Sequence, residues 1–432
     1  MPDGTVKQIN PFTGNEVWAV PGRASKPSQF GRGNGAPEPE PIGDIDRLAV
    51  CSFCEKRYFE TSPEKSRWVV RENRWSELVE LPAAEYFDSV AEFRRVANLF
   101  EIVTLDYWKK NYGYVLPKHE QERMREYLAS PIGHKHLEDV VAYKRSYSKD
   151  AQGSVLSNEE ELIRYSEPFF GGCHELITAR RHYRADGSTE RDLVSSGVLS
   201  GEEHYYYFRI TVDAIRAIIE RNRYVRYVSV FQNWLREAGA SFDHLHKQLV
   251  GIDEWGASIS RQVKMLKEDP NVFNEYGANF AAMYNLVFAE NEYAMALVGI
   301  GHRFPTIEIF SKSVHDRPYE HSLEELRGVS DLVHACHAAT GAEISCNEEW
   351  YYSPVDAMVK MPWHVLIKWR INVTAGFEGG TSIYINPMTP HEMRDRIVPR
   401  LYALRDAGII APIRIAEECR IEPNPLKYVT SS

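Results

Sequence analysis

One order of elements occurs twice along this chain, and it constrains the fold more than any other feature. In the first half, residues 174–182 alternate like a strand, and Ser200-Gly-Glu-Glu203 opens a helix to about Arg221. A strand at 227–231 then leads into the histidine-bearing stretch 239–250. In the second half, residues 294–300 and 306–310 read as strands, and Ser322-Leu-Glu-Glu325 opens a helix to about Thr340. Residues 350–352 and 363–369 are strands, and the second carries His364. Both helix starts place a Ser hydroxyl where it can accept from an unpaired first-turn N–H, followed by acids that suit the helix dipole. No strict period accompanies the repetition, so it reads as a diverged duplication. Strands mixed with separate helices, the last opened by Thr389-Pro-His-Glu392, give an α+β fold.

Composition removes several classes of function. With 51 Lys+Arg against 61 Asp+Glu, the net charge of −10 is wrong for a dedicated nucleic-acid binder. No run approaches the roughly 18 apolar residues of a membrane span, and Met1–Lys7 lacks the apolar core of a secretory leader. Six cysteines in 432 residues are too few for a disulfide framework. The expectation is a cytoplasmic protein with reduced thiols. Residues 21–44, dense in Pro and Gly, read as an extended arm.

Two stretches carry chemistry. In Asp243-His-Leu-His-Lys-Gln248, His244, His246 and Gln248 alternate and project to one strand face. A neutral imidazole is a competent nucleophile near neutral pH, and an amide beside it can donate to an oxyanion. The same spacing also suits two metal-ligand histidines. Cys51-Ser-Phe-Cys54 can chelate a tetrahedral Zn²⁺ through two thiolates, with histidines completing the set. A pair of buried thiols is the plainer reading. The stretch 376–387, with its Gly-Gly-Thr-Ser, reads first as a hairpin turn and second as a phosphate-binding loop. His364 reads as a satisfied, partly buried histidine, and Tyr205-Tyr-Tyr207 as helix surface and core.

Taken in order, the motifs resemble the galactose-1-phosphate uridylyltransferase-like family of the histidine-triad superfamily. The opening Asn10-Pro-Phe-Thr-Gly-Asn-Glu-Val-Trp and Arg23-Ala-Ser-Lys-Pro27 are similar to that family's first segment. Cys51-Ser-Phe-Cys54, Thr61-Ser-Pro-Glu64 and Val96-Ala-Asn-Leu-Phe100 follow. The stretch 227–241, ending Ala238-Gly-Ala-Ser241, runs into His244-Leu-His-Lys-Gln248, the counterpart of the family's H-P-H-x-Q. The likeness continues from residue 292 to about 397 and is nearer to an actinobacterial-type subfamily than to the housekeeping enzyme.

The resemblance implies a duplicated histidine-triad-like α+β fold, two mainly antiparallel sheet halves with helices packed on them. It implies halves at 1–255 and 256–432, with 104–170 inserted in the first. It implies a nucleotidyltransferase that moves an NMP between an NDP-sugar or NTP and a phosphorylated acceptor, through a covalent adduct on His246. Gln248 would serve the phosphoryl oxygens. Arg23, Asn98, Phe100, Asn233, Ser241 and Lys247 would line the substrate. Cys51, Cys54, His182 and His244 would hold a structural zinc, with His204 an alternative to His182. A homodimer is also implied. The same residues would suit a histidine-triad phosphorylase or hydrolase, or a zinc-stabilised nucleotide-binding protein without catalysis. Leu245 stands where the family has Pro and Lys247 where it has Gly, adding a cation beside the phosphate. Trp363-His-Val-Leu366 departs from the family's second W-H-x-H, which leaves a second metal site without its histidine pair.

Overall fold

The computed structural model describes residues 1–2, 4–20, 38–43, 45–147 and 159–429. Most of the Pro/Gly arm, including Arg23, lies outside the described residues. The chain begins with strands β1 (Val6–Ile9) and β2 (Glu16–Ala19). Strands β3 (Glu64–Arg71), β4 (Arg74–Val79) and β5 (Phe93–Ala97) follow. The expected insertion is helical: α1 (Leu105–Tyr112), α2 (Lys118–Ala129), α3 (Pro131–Ser146) and α4 (Glu159–Gly171). Strand β6 (His174–Ala179), helix α5 (Gly201–Arg221), and strands β7 (Tyr227–Trp234) and β8 (His246–Ile252) complete the first half.

Helices α6 (Gly256–Glu268) and α7 (Phe280–Met283) lead into the second half. It holds β9 (Val287–Glu290), β10 (Ala294–Val298), β11 (Thr306–Ser311), α8 (Leu323–Thr340), β12 (Cys346–Tyr351) and β13 (His364–Trp369). The short α9 (Gly376–Thr381), β14 (Ile383–Asn386), α10 (Pro390–Asp406) and β15 (Arg414–Ile415) close the chain.

The two halves share one antiparallel sheet of order β15-β9-β10-β11-β13-β12-β7-β8-β6-β5-β3-β4. The seam is the β7–β12 pair, with Asn233 opposite Asn347 and Gln232 opposite Glu348. Outward from it, β7-β8-β6-β5-β3 on one side match β12-β13-β11-β10-β9 on the other, which is the duplication seen in the sequence. The outermost strands, β4 and β15, come from different places in their halves. Helices α5 and α8 pack against each other and the central strands on one face. Both carry the expected Ser cap, and in each the acid at the third helical position closes it into a capping box, Ser200 with Glu203 and Ser322 with Glu325. Each box satisfies orphan donors at the helix start and fixes where the helix begins.

The structure departs from the sequence expectations in two places. Residues 376–387 form α9 and β14 rather than a hairpin. Glu378 accepts from the Ala375 N–H at 3.0 Å, and Ser382 ends the helix in the left-handed region at φ 57°. The N-terminal strands also do not join the sheet of the first half. β2 pairs in parallel with β14, and Asn10 donates to the Ile300 carbonyl at 2.8 Å. Residues 6–19 thus belong spatially to the second half. No helix among the described residues is long and apolar enough to cross a membrane.

Candidate functional site

Alternation on β8 sets the site. His246 and Gln248 point to the face opposite the α5–α8 layer, while Leu245 and Lys247 are buried. His246 is only 4% exposed. Its Nδ1–H donates to the His244 carbonyl at 2.8 Å, which leaves the lone pair on Nε2. Among the described residues Nε2 has no hydrogen-bond partner. Burial lowers the pKa of the ring, against the opposing effect of that hydrogen bond. The ring is therefore neutral at neutral pH, the form that can attack an electrophile. Phe53 lies beside it with ring centroids 5.7 Å apart and packs edge-on against Phe242.

Gln248 Oε1 lies 3.1 Å from His174 Nε2. Asn98 Nδ2 sits 3.0 Å from the same nitrogen, and its Oδ1 accepts from the Phe100 N–H. Phe100 itself is exposed. Asn233 accepts from Asn347 Nδ2 at 2.8 Å, a bond across the seam. Just beyond it Leu235 has φ 65°, a left-handed value that is costly for a branched side chain. Ser241 is exposed on the loop between β7 and β8.

Lys247 requires a correction. Its side chain is fully buried on the helix-facing side, where Nζ pairs with Glu348 Oε1 at 2.8 Å and lies over the Tyr207 ring. Burial works against the Glu348 charge, but Lys247 and His337 outweigh it and hold the carboxyl at about 2. The period-2 alternation that brings His246 and Gln248 together turns Lys247 away, so it adds no cation beside them.

Cys51, Cys54, His182 and His244 converge, with their ligand atoms all within 4.8 Å of one another. The sulfurs are 3.8 Å apart, and each sulfur lies 3.4–3.8 Å from the Nδ1 atoms. A tetrahedral Zn²⁺ with Zn–S of ~2.3 Å and Zn–N of ~2.0–2.1 Å needs edges of about 3.8 and 3.6 Å. The donor set therefore fits zinc in chemistry and in size. His244 Nε2–H donates to the Ala179 carbonyl at 2.6 Å, which commits Nδ1 to the metal side. Cys54 is held well below the usual range by the Cys51 hydrogen bond and the two imidazoles, and Cys51 is raised. His204 is elsewhere, buried between α5 and α8 with Nδ1 on Ser330 Oγ at 2.8 Å.

His174, Glu348 and Asn347 were not singled out from the sequence. His174 heads an alternating strand, and its register opposite β8 is what brings it to Gln248. Glu348 and Asn347 come from the other half across the seam, a pairing without a local signature.

A family model described as "Domain of unknown function (DUF4921)" matches residues 1–428. No curated protein matches the chain. Among solved structures, an ADP-glucose phosphorylase from Arabidopsis thaliana with bound ADP-glucose is similar at 16% identity and TM-score 0.56. The match covers 91% of this chain and 98% of that one. A galt-like protein from the same plant is similar at 15% identity and TM-score 0.54, over the same shares. At these identities the likeness establishes the fold. It is the α+β fold of those two structures, with helices packed on antiparallel sheet.

Proposed function

The chain belongs to the DUF4921 family, and from that premise we propose that it is a nucleotidyltransferase working through a covalent NMP–histidine on His246. The observation that carries this reading is the His246 ring: Nδ1–H is committed to the His244 carbonyl, and Nε2 is bare on the face shared with Gln248. In the first half-reaction Nε2 attacks the α-phosphorus of an NDP-sugar or NTP. The bond from that phosphorus to the bridging oxygen breaks, and the leaving phosphate takes the electron pair. The ring gains positive character as the N–P bond forms, and the Nδ1–H bond to a carbonyl offsets it. In the second half-reaction a phosphate oxygen of the acceptor attacks the same phosphorus and the N–P bond breaks. Two displacements let one site serve both partners.

The Gln248 amide would donate to the non-bridging oxygens, with Asn98, Phe100, Asn233, Ser241 and Arg23 around the nucleotide. Cys51, Cys54, His182 and His244 would hold a zinc whose role is structural, fixing the residues that lead into His246. A second copy of the chain is part of this reading, as the uridylyltransferase-like pattern implies.

A second reading keeps the histidine step and makes inorganic phosphate the acceptor. It is favoured by the likeness to an ADP-glucose phosphorylase along nearly the whole of both chains.

The test is intact-protein mass spectrometry after incubation with a panel of NTPs and NDP-sugars, with His246→Ala as control. A gain of one NMP in the wild type alone is expected, and the donor that gives it names the base. Adding inorganic phosphate or a sugar phosphate to the isolated adduct then separates the two acceptors. No adduct with any donor, on protein that binds nucleotides by thermal shift, would sink the covalent mechanism.

A further inference from the structure

We infer that His174, at the head of β6, is a positioning residue for Gln248, holding that amide with its NH₂ group turned toward the reacting phosphate. The inference rests on the nucleotidyl-transfer reading above for its functional meaning, and on geometry for its substance.

The ring of His174 is 1% exposed, and its two nitrogens have different partners. The Ile102 backbone N–H donates to Nδ1 at 3.1 Å. A backbone N–H can only donate, so Nδ1 carries the lone pair and a neutral ring carries its proton on Nε2. Two side-chain atoms lie within reach of that proton, Gln248 Oε1 at 3.1 Å and Asn98 Nδ2 at 3.0 Å. Asn98 Oδ1 is already held by the Phe100 N–H at 2.9 Å, so Asn98 presents a donor on the ring side. Gln248 Oε1 is therefore the one acceptor open to the His174 proton.

A glutamine amide has nearly the same shape in its two flipped orientations. Turned one way it offers two N–H groups to an oxyanion, and turned the other way it offers lone pairs that repel it. With Oε1 committed to His174, the Gln248 NH₂ is the free group, and among the described residues it has no partner. Burial brings the His174 pKa down to about 4, against the Gln248 bond, so the donating tautomer persists at neutral pH. The order Ile102 N–H to His174 to Gln248 also gives the chain leading into the helical insertion a connection to the site.

The test is a double-mutant cycle on the single-turnover rate of His246 adduct formation at saturating donor. It uses His174→Phe, His174→Gln, Gln248→Ala and the His174→Phe/Gln248→Ala double variant. His174→Phe is expected to slow the step by roughly tenfold or more, since a misdirected donor forfeits part of the effect of losing one. His174→Gln should recover most of that rate, because its amide can both accept from Ile102 and donate to Gln248. In the Gln248→Ala background, His174→Phe should cost less than about twofold, the sign of one shared pathway. Independent effects at the two positions, or a His174→Gln variant as slow as His174→Phe, would overturn the proposal. A readout free of activity is the ¹⁵N spectrum of the wild-type histidines. The Nε2–H tautomer is expected at His174, and an Nδ1–H tautomer overturns the proposal. If the wild type forms no adduct, the transfer reading fails alone, and the tautomer still decides the geometric claim.

Discussion

His246 and His364 each begin a strand, β8 and β13, at matching places either side of the seam. Each directs Nδ1 to the carbonyl two residues earlier, at 2.8 Å in both. The backbone device is the same, and the neighbours differ. Opposite His246 on β6 stands Thr178; opposite His364 on β11 stands Phe310. Phe310 and Tyr351 stack on the His364 ring at 4.9 and 5.2 Å, and Phe273 lies 5.4 Å away. Two residues on, Gln248 has Leu366 as its counterpart. Both rings are 4% exposed, so the contrast lies in the company each keeps. His246 has Thr178 across the ladder and Gln248 on its face, whereas His364 is stacked between aromatic rings with Leu366 in the place of the amide. A strand geometry that readies a histidine for chemistry is thus not sufficient; what stands on the adjacent strands decides.

The sharpest way to break this comparison is to remove each ring in turn. His246→Ala is expected to abolish adduct formation, by at least about three orders of magnitude in turnover. His364→Ala should leave the adduct rate within a few-fold but cost about 2–4 kcal/mol in urea unfolding, as a cavity opens among aromatic rings. Equal losses of activity from both variants would mean that the halves are not functionally distinct.

A second contrast concerns the residue next to each histidine. Lys247 is buried against Glu348, whereas the residue after His364 is Val365. Removing one partner of a buried pair leaves the other uncompensated, so Lys247→Met should cost about 3–5 kcal/mol. The adduct rate of the folded variant should stay within a few-fold of wild type. A large rate loss without a stability loss would return Lys247 to the phosphate.

Position by position, the smallest expected effect is in pH. His136, His174, His334 and His364 are all brought down to about 4, burial being the leading cause in each. Unfolded histidines titrate near 6.5. Between those values the unfolded chain binds protons that the folded one does not, so stability falls as the pH drops from about 6.5 toward 4. Each contributes roughly 1–2 kcal/mol by pH 5. Thermal melts should show a falling Tm over that range, and His364→Phe should reduce the slope by about one proton.

How much of this was legible from residues alone depended on whether a feature is local. The Ser caps at Ser200 and Ser322, the Cys51–Cys54 spacing and the shared face of His246 and Gln248 are set within a few residues, and the structure repeats them. Lys247 went astray although period-2 alternation already turns it from His246. The partnership of His174 with Gln248, and of Glu348 with Lys247, depends on registers between distant strands that no local pattern encodes. The stretch 376–381 misled because its glycines suit a turn, while the Glu378 bond to the Ala375 N–H starts a helix there.

The parallel pairing of β2 with β14 has a consequence for how the polypeptide comes into being. Residues 16–19 have as their outer partner residues 383–386. On a ribosome, the hairpin of β1 and β2 waits until residues 383–386 have been made before its third strand exists. A two-stranded hairpin alone is marginal in water. The hairpin of β1 and β2 therefore docks late in biogenesis, after strands β3 to β13 of the large sheet have been made, and a chain cut short before residue 383 keeps an unsealed strand edge that invites self-association.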